Sequence, residues 1–194
     1  FDVSGDLRKS AVLWVPSYTA VSAYSLGNNF NNQLTGNLTI SFSVNPSRNR
    51  RQNPISKSYS GEGTITIEPN GYINYYYGPG GNNSYPYQGF TTRTRIPFGR
   101  WTHVAIVRNV NTKQLQWFIN GRLDRRTRLK YTPGKSTLPL QIGKGYTNPF
   151  KGSLQNIGIF NKAFGQSDIK TLSKSPNTFK QSAIKWIPNF STNG

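Results

Sequence analysis

Polar and apolar residues alternate along much of this chain with the two-residue period of a strand. From Asn37 to Asn45, Leu38, Ile40, Phe42 and Val44 alternate with Thr39, Ser41 and Ser43, which predicts a strand with one buried face. Thr64–Glu68 and Tyr72–Tyr77 flank Pro69-Asn70-Gly71 and predict a hairpin. Gly78–Ser84 reads as a second turn, and Tyr87–Ile96 as a returning strand that stops before Pro97. Trp101–Val107 is too continuously apolar for a ribbon with one wet side, so both of its faces should be covered. Leu115, Trp117 and Ile119 predict the next strand, which ends at Asn120-Gly121, a pair that accepts the positive φ angles of a type I′ turn. Leu138, Leu140 and Ile142, then Leu154, Ile157, Ile159 and Phe160, predict the last core strands. Ser167–Leu172 predicts a short helical turn with Ser167 as N-cap, and nothing longer keeps a 3.6-residue period. Pro46–Pro54, with Arg48, Arg50 and Arg51, reads as a solvated basic loop.

These elements predict an all-β fold, a two-sheet antiparallel sandwich over residues 1–172, followed by a tail over residues 173–194. The tail is polar but carries Trp186, Ile187 and Phe190, which should be buried against the sandwich or a neighbouring subunit, and Pro176 and Pro188 exclude one continuous helix there. Hydrophobic residues make up only 34% of the 194, yet 4 Trp, 11 Phe and 11 Tyr supply large side chains for one core. The chain has no Cys, so neither disulfides nor a thiolate metal site is available. No apolar run approaches the roughly 20 residues of a membrane-spanning helix. The absence of Met predicts that Phe1 is a processing product or a cut boundary.

Charge changes the picture more than composition does. Against 24 Lys and Arg stand 6 Asp and Glu, a formal net charge of +18, which favours polyanionic partners: an acidic protein surface, acidic glycan or nucleic acid. Arg122, Arg125, Arg126, Arg128 and Lys130 form one basic cluster, and Arg48, Arg50 and Arg51 another. If Arg126, Arg128 and Lys130 lie in one strand they form a stripe on a single face. No nucleic-acid recognition motif accompanies them, so any contact with phosphate would be salt-sensitive and indifferent to sequence.

The stretch Trp101-Thr102-His103-Val104-Ala105-Ile106-Val107-Arg108, followed by Leu115-Gln116-Trp117-Phe118-Ile119-Asn120-Gly121-Arg122-Leu123, resembles the laminin G-like branch of the concanavalin A-like lectin and glucanase superfamily. Phe1–Asp6, Gly36–Pro46 and Leu140–Phe164 resemble other strands of such domains in the same order. The resemblance implies a jelly-roll sandwich. It does not fix an activity, because the superfamily includes sugar binders, adhesion modules, glycosidases and virion appendages.

The carboxylates argue against hydrolysis. Retaining glycosidases hold two about 5 Å apart, whereas Glu62 and Glu68, six residues apart in an extended strand, would stand about 20 Å apart. The single His103 lacks a neighbouring Asp or Ser and reads as a histidine hydrogen-bonded at the sheet surface or packed beside Trp101. A lyase would have to draw on Tyr75, Tyr77, Arg93 and His103, which no spacing unites. Acids are too scattered for calcium, and Asp124 beside Arg122 and Arg125 reads as an ion pair or turn cap, so neither metal nor cofactor is expected.

Tyr72, Tyr75, Tyr76, Tyr77, Tyr85 and Tyr87, with Asn82 and Asn83 between them, offer an aromatic platform beside amide donors, suited to a glycan or a protein interface. Alternation places Tyr75 and Tyr77 on one face and Tyr72 and Tyr76 on the other. The function expected from the sequence is therefore non-enzymatic. First comes a structural or decoration protein of a virion-like or extracellular assembly, meeting an acidic protein surface or capsid-like subunits. A carbohydrate-binding lectin or adhesin comes second, a polyanion-binding module third, and a glycoside hydrolase or lyase last.

Overall fold

The computed structural model describes residues 11–19, 24–25, 34–175 and 185–186, and these form two stacked antiparallel sheets with one helix. The first sheet holds β1 (Ala11–Thr19), β3 (Leu38–Pro46), β8 (Thr102–Asn109), β9 (Gln114–Ile119), β10 (Arg122–Arg128), β13 (Gly152–Phe160) and β14 (Lys185–Trp186) in the order β10-β9-β8-β3-β13-β1-β14. The second holds β2 (Tyr24–Ser25), β4 (Gln52–Ser58), β5 (Gly63–Ile67), β6 (Ile73–Tyr77), β7 (Gln88–Thr91) and β11 (Gln141–Ile142) in the order β2-β11-β4-β5-β6-β7. A short β12 (Asn148–Pro149) runs parallel to the start of β4. The helix α1 spans Gln166–Lys174.

Register puts the alternating apolar residues in one interior layer. Ile40 faces Ile106, which faces Trp117, and Phe42 faces Val104, while Ile55 faces Ile65 and Ile65 faces Tyr75 across the other sheet. All are buried in one cluster between the sheets, where each large side chain contributes about 1.5–3 kcal/mol of transfer free energy before ordering costs. The Trp117 indole N–H, which would be costly unpaired, donates to the Phe90 carbonyl at 2.8 Å.

The run Val104–Val107 is apolar throughout because β8 is covered twice. Val104 and Ile106 join the interior, and Ala105 and Val107 form a second cluster with Phe118, Phe160, Phe164, Ile169 and Leu172, beneath α1. Gly121 in the β9–β10 turn has φ of +74°, and a Cβ there would meet Ser173 of α1 at 2.4 Å, so glycine serves both the turn and the helix contact.

Several boundaries differ from those the pattern predicts. β4 begins inside the expected basic loop, because Gln52, Asn53, Ser56 and Lys57 are buried with hydrogen-bond partners and need no apolar alternation. β7 is shorter than expected and Trp101 lies outside β8, 46% exposed. The helix cap is Gly165 rather than Ser167: the Gly165 N–H donates to the Asp168 carboxylate at 3.0 Å, which also places a negative charge in the first turn. No helix among the described residues is long and apolar enough to cross a membrane. In the tail, the backbone of Lys185–Trp186 pairs in parallel with Leu13–Trp14 of β1, whereas Ile187 and Phe190, like the predicted strand at Phe1–Asp6, lie outside the described residues.

Candidate functional site

Strand β6 separates the predicted tyrosines by face. Tyr75 and Tyr77 point into the sandwich, stack with ring centroids 5.8 Å apart and are wholly buried. They leave the candidate surface because each phenol is committed to an interior hydrogen-bond network. Tyr75 donates to the Glu62 carbonyl at 2.7 Å and accepts from Arg108 at 2.8 Å, and burial pushes its phenol up to about 12. Arg108, also wholly buried, is held by the carbonyls of Leu34, Gly36 and Glu62. Nearby, the Lys57 ammonium lies 3.2 Å from the Glu62 carboxylate with both side chains almost fully enclosed, and Ser136 hydrogen-bonds to both. Burial pulls the Lys57 ammonium down despite Glu62. The void beside this pair is only about 10 Å³, too small for a substrate, so these groups hold the sandwich together.

On the outer face of the second sheet, Tyr76 meets Tyr87 at 5.7 Å and Tyr146 at 6.3 Å, both edge-on. Tyr59, from the turn after β4, meets Tyr146 at 4.9 Å and Tyr87 at 5.4 Å, closing a ring of four aromatics. Tyr85 extends it at 6.0 Å from Tyr87 and is 79% exposed. Arg51 lies among these rings, donating to the hydroxyls of Tyr146 at 2.9 Å and Tyr76 at 3.4 Å, with its guanidinium 5.6 Å from the Tyr146 ring centre. Its Nε stands 3.4 Å from Glu68, which in turn accepts from the Asn74 amide at 2.9 Å.

The layer beneath fixes this arrangement. Thr66 hydrogen-bonds to the Tyr146 hydroxyl at 3.1 Å and accepts from Asn53 at 3.0 Å, so the buried polar residues of β4 and β5 support the exposed rings. Asn83 accepts from the Tyr59 N–H at 3.0 Å through its amide oxygen and from the Tyr59 hydroxyl through its carbonyl. The side-chain oxygens of Asn82 and Asn83 accept from the Ser84 hydroxyl and the Tyr59 N–H, and their NH₂ groups donate to no described residue. Burial, then Tyr146 and Glu68, push the Tyr76 phenol up to about 12, so it stays neutral and can still donate a hydrogen bond.

The remaining candidates scatter. Tyr72 lies under Arg95, whose guanidinium is 4.9 Å from its ring centre, and borders a cleft with Arg93 and Arg125 at the far end of β6. Arg125, exposed on β10, has its guanidinium 5.9 Å from the Phe90 ring centre and donates to the Thr91 carbonyl at 3.1 Å. Arg50 donates to the Pro149 carbonyl at 3.1 Å, and Arg48 and Arg122 are exposed. Arg126 and Arg128 share one face of β10, opposite Gln116 and Gln114, but β10 ends at Arg128, so Lys130 lies beyond the stripe. Trp186 contributes its backbone to β14, and Ile187 and Phe190 are outside the described residues. Sequence reasoning missed Tyr59 and Tyr146. The first follows β4, which has no strand pattern, and the second lies in an irregular loop, so only the fold brings them to Tyr76.

The four described carboxylates each have a structural task. Glu62 pairs with Lys57, Glu68 with Arg51, Asp168 caps α1, and Asp124 accepts the N–H groups of Arg93 at 2.6 Å and Thr94 at 3.1 Å. Among the described residues no three His, Asp or Glu side chains come together as metal ligands. His103 lies on the outer face of the first sheet, 2.9 Å from the Ser41 hydroxyl, and burial lowers its pKa to about 4. Tyr75 and Tyr77 face the interior instead, so the lyase combination is not assembled.

Residues 18–170 match the family model described as the concanavalin A-like lectin/glucanases superfamily. The chain belongs to this superfamily. Several proteins of known structure share the fold at low identity. NanB sialidase from Streptococcus pneumoniae, crystallised as its K499G mutant, aligns with 84% of this chain at a TM-score of 0.69 and 16% identity, and the chain spans only 28% of that enzyme. The CBM40 module of the Ruminococcus gnavus IT-sialidase, solved with α2,3-sialyllactose, aligns over 84% of this chain and 99% of its own length at 0.66 and 15%. The receptor-binding domain of botulinum neurotoxin C/D mosaic serotype aligns over 87% of this chain and 51% of its own at 0.62 and 16%. No curated protein matches the chain in sequence.

Proposed function

We propose that this chain is a non-catalytic carbohydrate-binding module whose ligand lies on the tyrosine surface of the second sheet. One observation carries the reading: Tyr59, Tyr76, Tyr87 and Tyr146 interlock around an exposed Arg51, with the Asn83 amide hydrogen-bonded to Tyr59 beside them. Aromatic faces and edges take the apolar patches of sugar rings, phenols and amides exchange hydrogen bonds with hydroxyls, and a guanidinium receives an acidic sugar's carboxylate in a two-point contact. Arg51 is already shared with Glu68, so a carboxylated sugar competes with that pair. A similar fold holds α2,3-sialyllactose in the CBM40 neighbour, which supports a sialylated or otherwise acidic glycan as the class to try first. The engaged carboxylates leave no pair for glycoside hydrolysis among the described residues.

An extracellular or surface location goes with such a ligand. Assembly on a virion or other acidic protein surface fits the net charge of +18, but no residue geometry favours it over a glycan. The test is a glycan array followed by titration calorimetry of the selected sugar. Tyr76→Ala and Arg51→Gln should each weaken binding by roughly tenfold or more while melting stays close to that of the parent. Absence of any selective glycan, or binding untouched by both substitutions, would sink the reading.

A further inference from the structure

The second basic cluster lies outside the tyrosine surface, and the fold turns part of it into a groove. The chain leaving β10 is pinned at successive residues. Gln88 donates to the Arg128 carbonyl at 2.9 Å, the Leu129 N–H donates to the Lys113 carbonyl at 3.0 Å, and the Lys130 N–H donates to the Tyr77 hydroxyl at 3.0 Å and the Gln88 amide oxygen at 2.9 Å. With the backbone fixed, the side chains of Arg128 and Lys130 project into solvent beside Lys113 of the β8–β9 turn. Between them runs an open groove of about 550 Å³, lined also by Val110, Leu129 and Tyr131. It adjoins a second cleft of about 440 Å³ that shares Lys113 and Arg128 and adds Arg126.

Among the described residues no carboxylate lines either cleft. The four described acids are committed elsewhere, and among the described residues the side chains of Lys113, Arg126, Arg128 and Lys130 enter no ion pair or hydrogen bond. Four cations therefore converge on a concave surface with no counter-charge among the described residues, a focused positive field that attracts an external anion. This differs from Arg51, whose charge is already shared with Glu68.

We infer that this groove is a second binding site, for a linear polyanionic glycan bearing sulfates or uronic carboxylates. Arg126 and Arg128, two residues apart on one face, are rooted about 7 Å apart along the strand, suited to successive charges of an extended polymer. Val110, Leu129 and Tyr131 give the floor apolar and aromatic area for a sugar ring. Nucleic acid is less suited: single strands bind on successive stacking platforms, and the two clefts offer one aromatic ring, Tyr131. The groove shares no residue with the tyrosine surface, so either site can fail while the other stands.

The experiment measures binding of the whole chain to heparin hexasaccharide, oligogalacturonate and a single-stranded DNA of matched charge across a salt series. The expected result is glycan binding that weakens steeply with salt. The triple variant Arg126→Gln, Arg128→Gln, Lys130→Gln should lose roughly tenfold or more in affinity and about 2 from the log–log salt slope. A control that removes three other exposed cations, Arg100→Gln, Lys170→Gln and Lys174→Gln, should bind as the parent does. The two glycan arms report whether sulfate or carboxylate is preferred. Equal losses in the groove and control variants would reduce the effect to bulk charge and overturn the proposal. So would no binding to either glycan, or tighter binding of the DNA through the same residues.

Discussion

β4 and β10 are both seven-residue strands, both poor in apolar side chains, and their environments are opposite. Gln52–Ser58 is buried at every position in the middle of its sheet, whereas Arg122–Arg128 forms an exposed edge with no fully buried residue. The difference lies in partners. Asn53, Ser56 and Lys57 find acceptors and donors from β5 and from the loops at Ser136 and Thr147, so burial leaves few groups unpaired. The arginines of β10 are surplus charge with almost no carboxylate to meet, and only the edge leaves them in water. Polar composition thus does not report exposure; the availability of partners does.

The sharpest way to break this contrast is to remove the partner of the buried charge of β4. Glu62→Gln should leave the buried Lys57 ammonium without its counter-charge and cost about 3–5 kcal/mol, read as a lower midpoint in urea at unchanged slope. A loss below 1 kcal/mol would mean that the hydrogen bonds to Ser136 and Leu138 suffice.

Acid acts next, through the buried imidazole of His103. His103 has a folded pKa of about 4, below its unfolded value near 6.5, so the unfolded chain binds the extra proton between these values. Stability from this group is complete above about pH 6.5 and is lost as pH falls toward 4, by on the order of 3 kcal/mol. His103→Gln should remove that part of the slope in a pH series of denaturant melts.

A smaller effect is expected from Tyr75→Phe, which strips Arg108 of one acceptor inside the sandwich and should cost about 1–3 kcal/mol by the same assay. At the other extreme, Arg126→Gln on the exposed strand should move stability by no more than about 0.5 kcal/mol. A larger change there would show that the edge is structurally engaged.

The strands with regular alternation were legible because one buried face imposes a period of two, as in Leu38–Val44. The double burial of Val104–Val107 was legible from the absence of alternation. β4 was not, since a strand buried through hydrogen bonds looks like a loop when its partners are unknown. The tyrosine surface was half legible: the pattern separated Tyr76 from Tyr75 and Tyr77 but could not say which face was inside. Tyr59 and Tyr146 reach Tyr76 through loops whose course is set by packing rather than local preference.

By itself the amino-acid sequence determined an all-β sandwich with one interior layer, the commitment of so few acids against so many cations, and the supply of exposed tyrosines and arginines. Those are properties of side-chain type and spacing, which act through local geometry and solvation. Only the tertiary structure decided that Arg51 sits among four tyrosines while Arg128 borders an open groove, and that Lys57 is interior while Lys130 is not. Such distinctions depend on which distant residues meet each charge. In a chain of net charge +18, a buried cation persists only where the fold brings a carboxylate or a set of carbonyls to it.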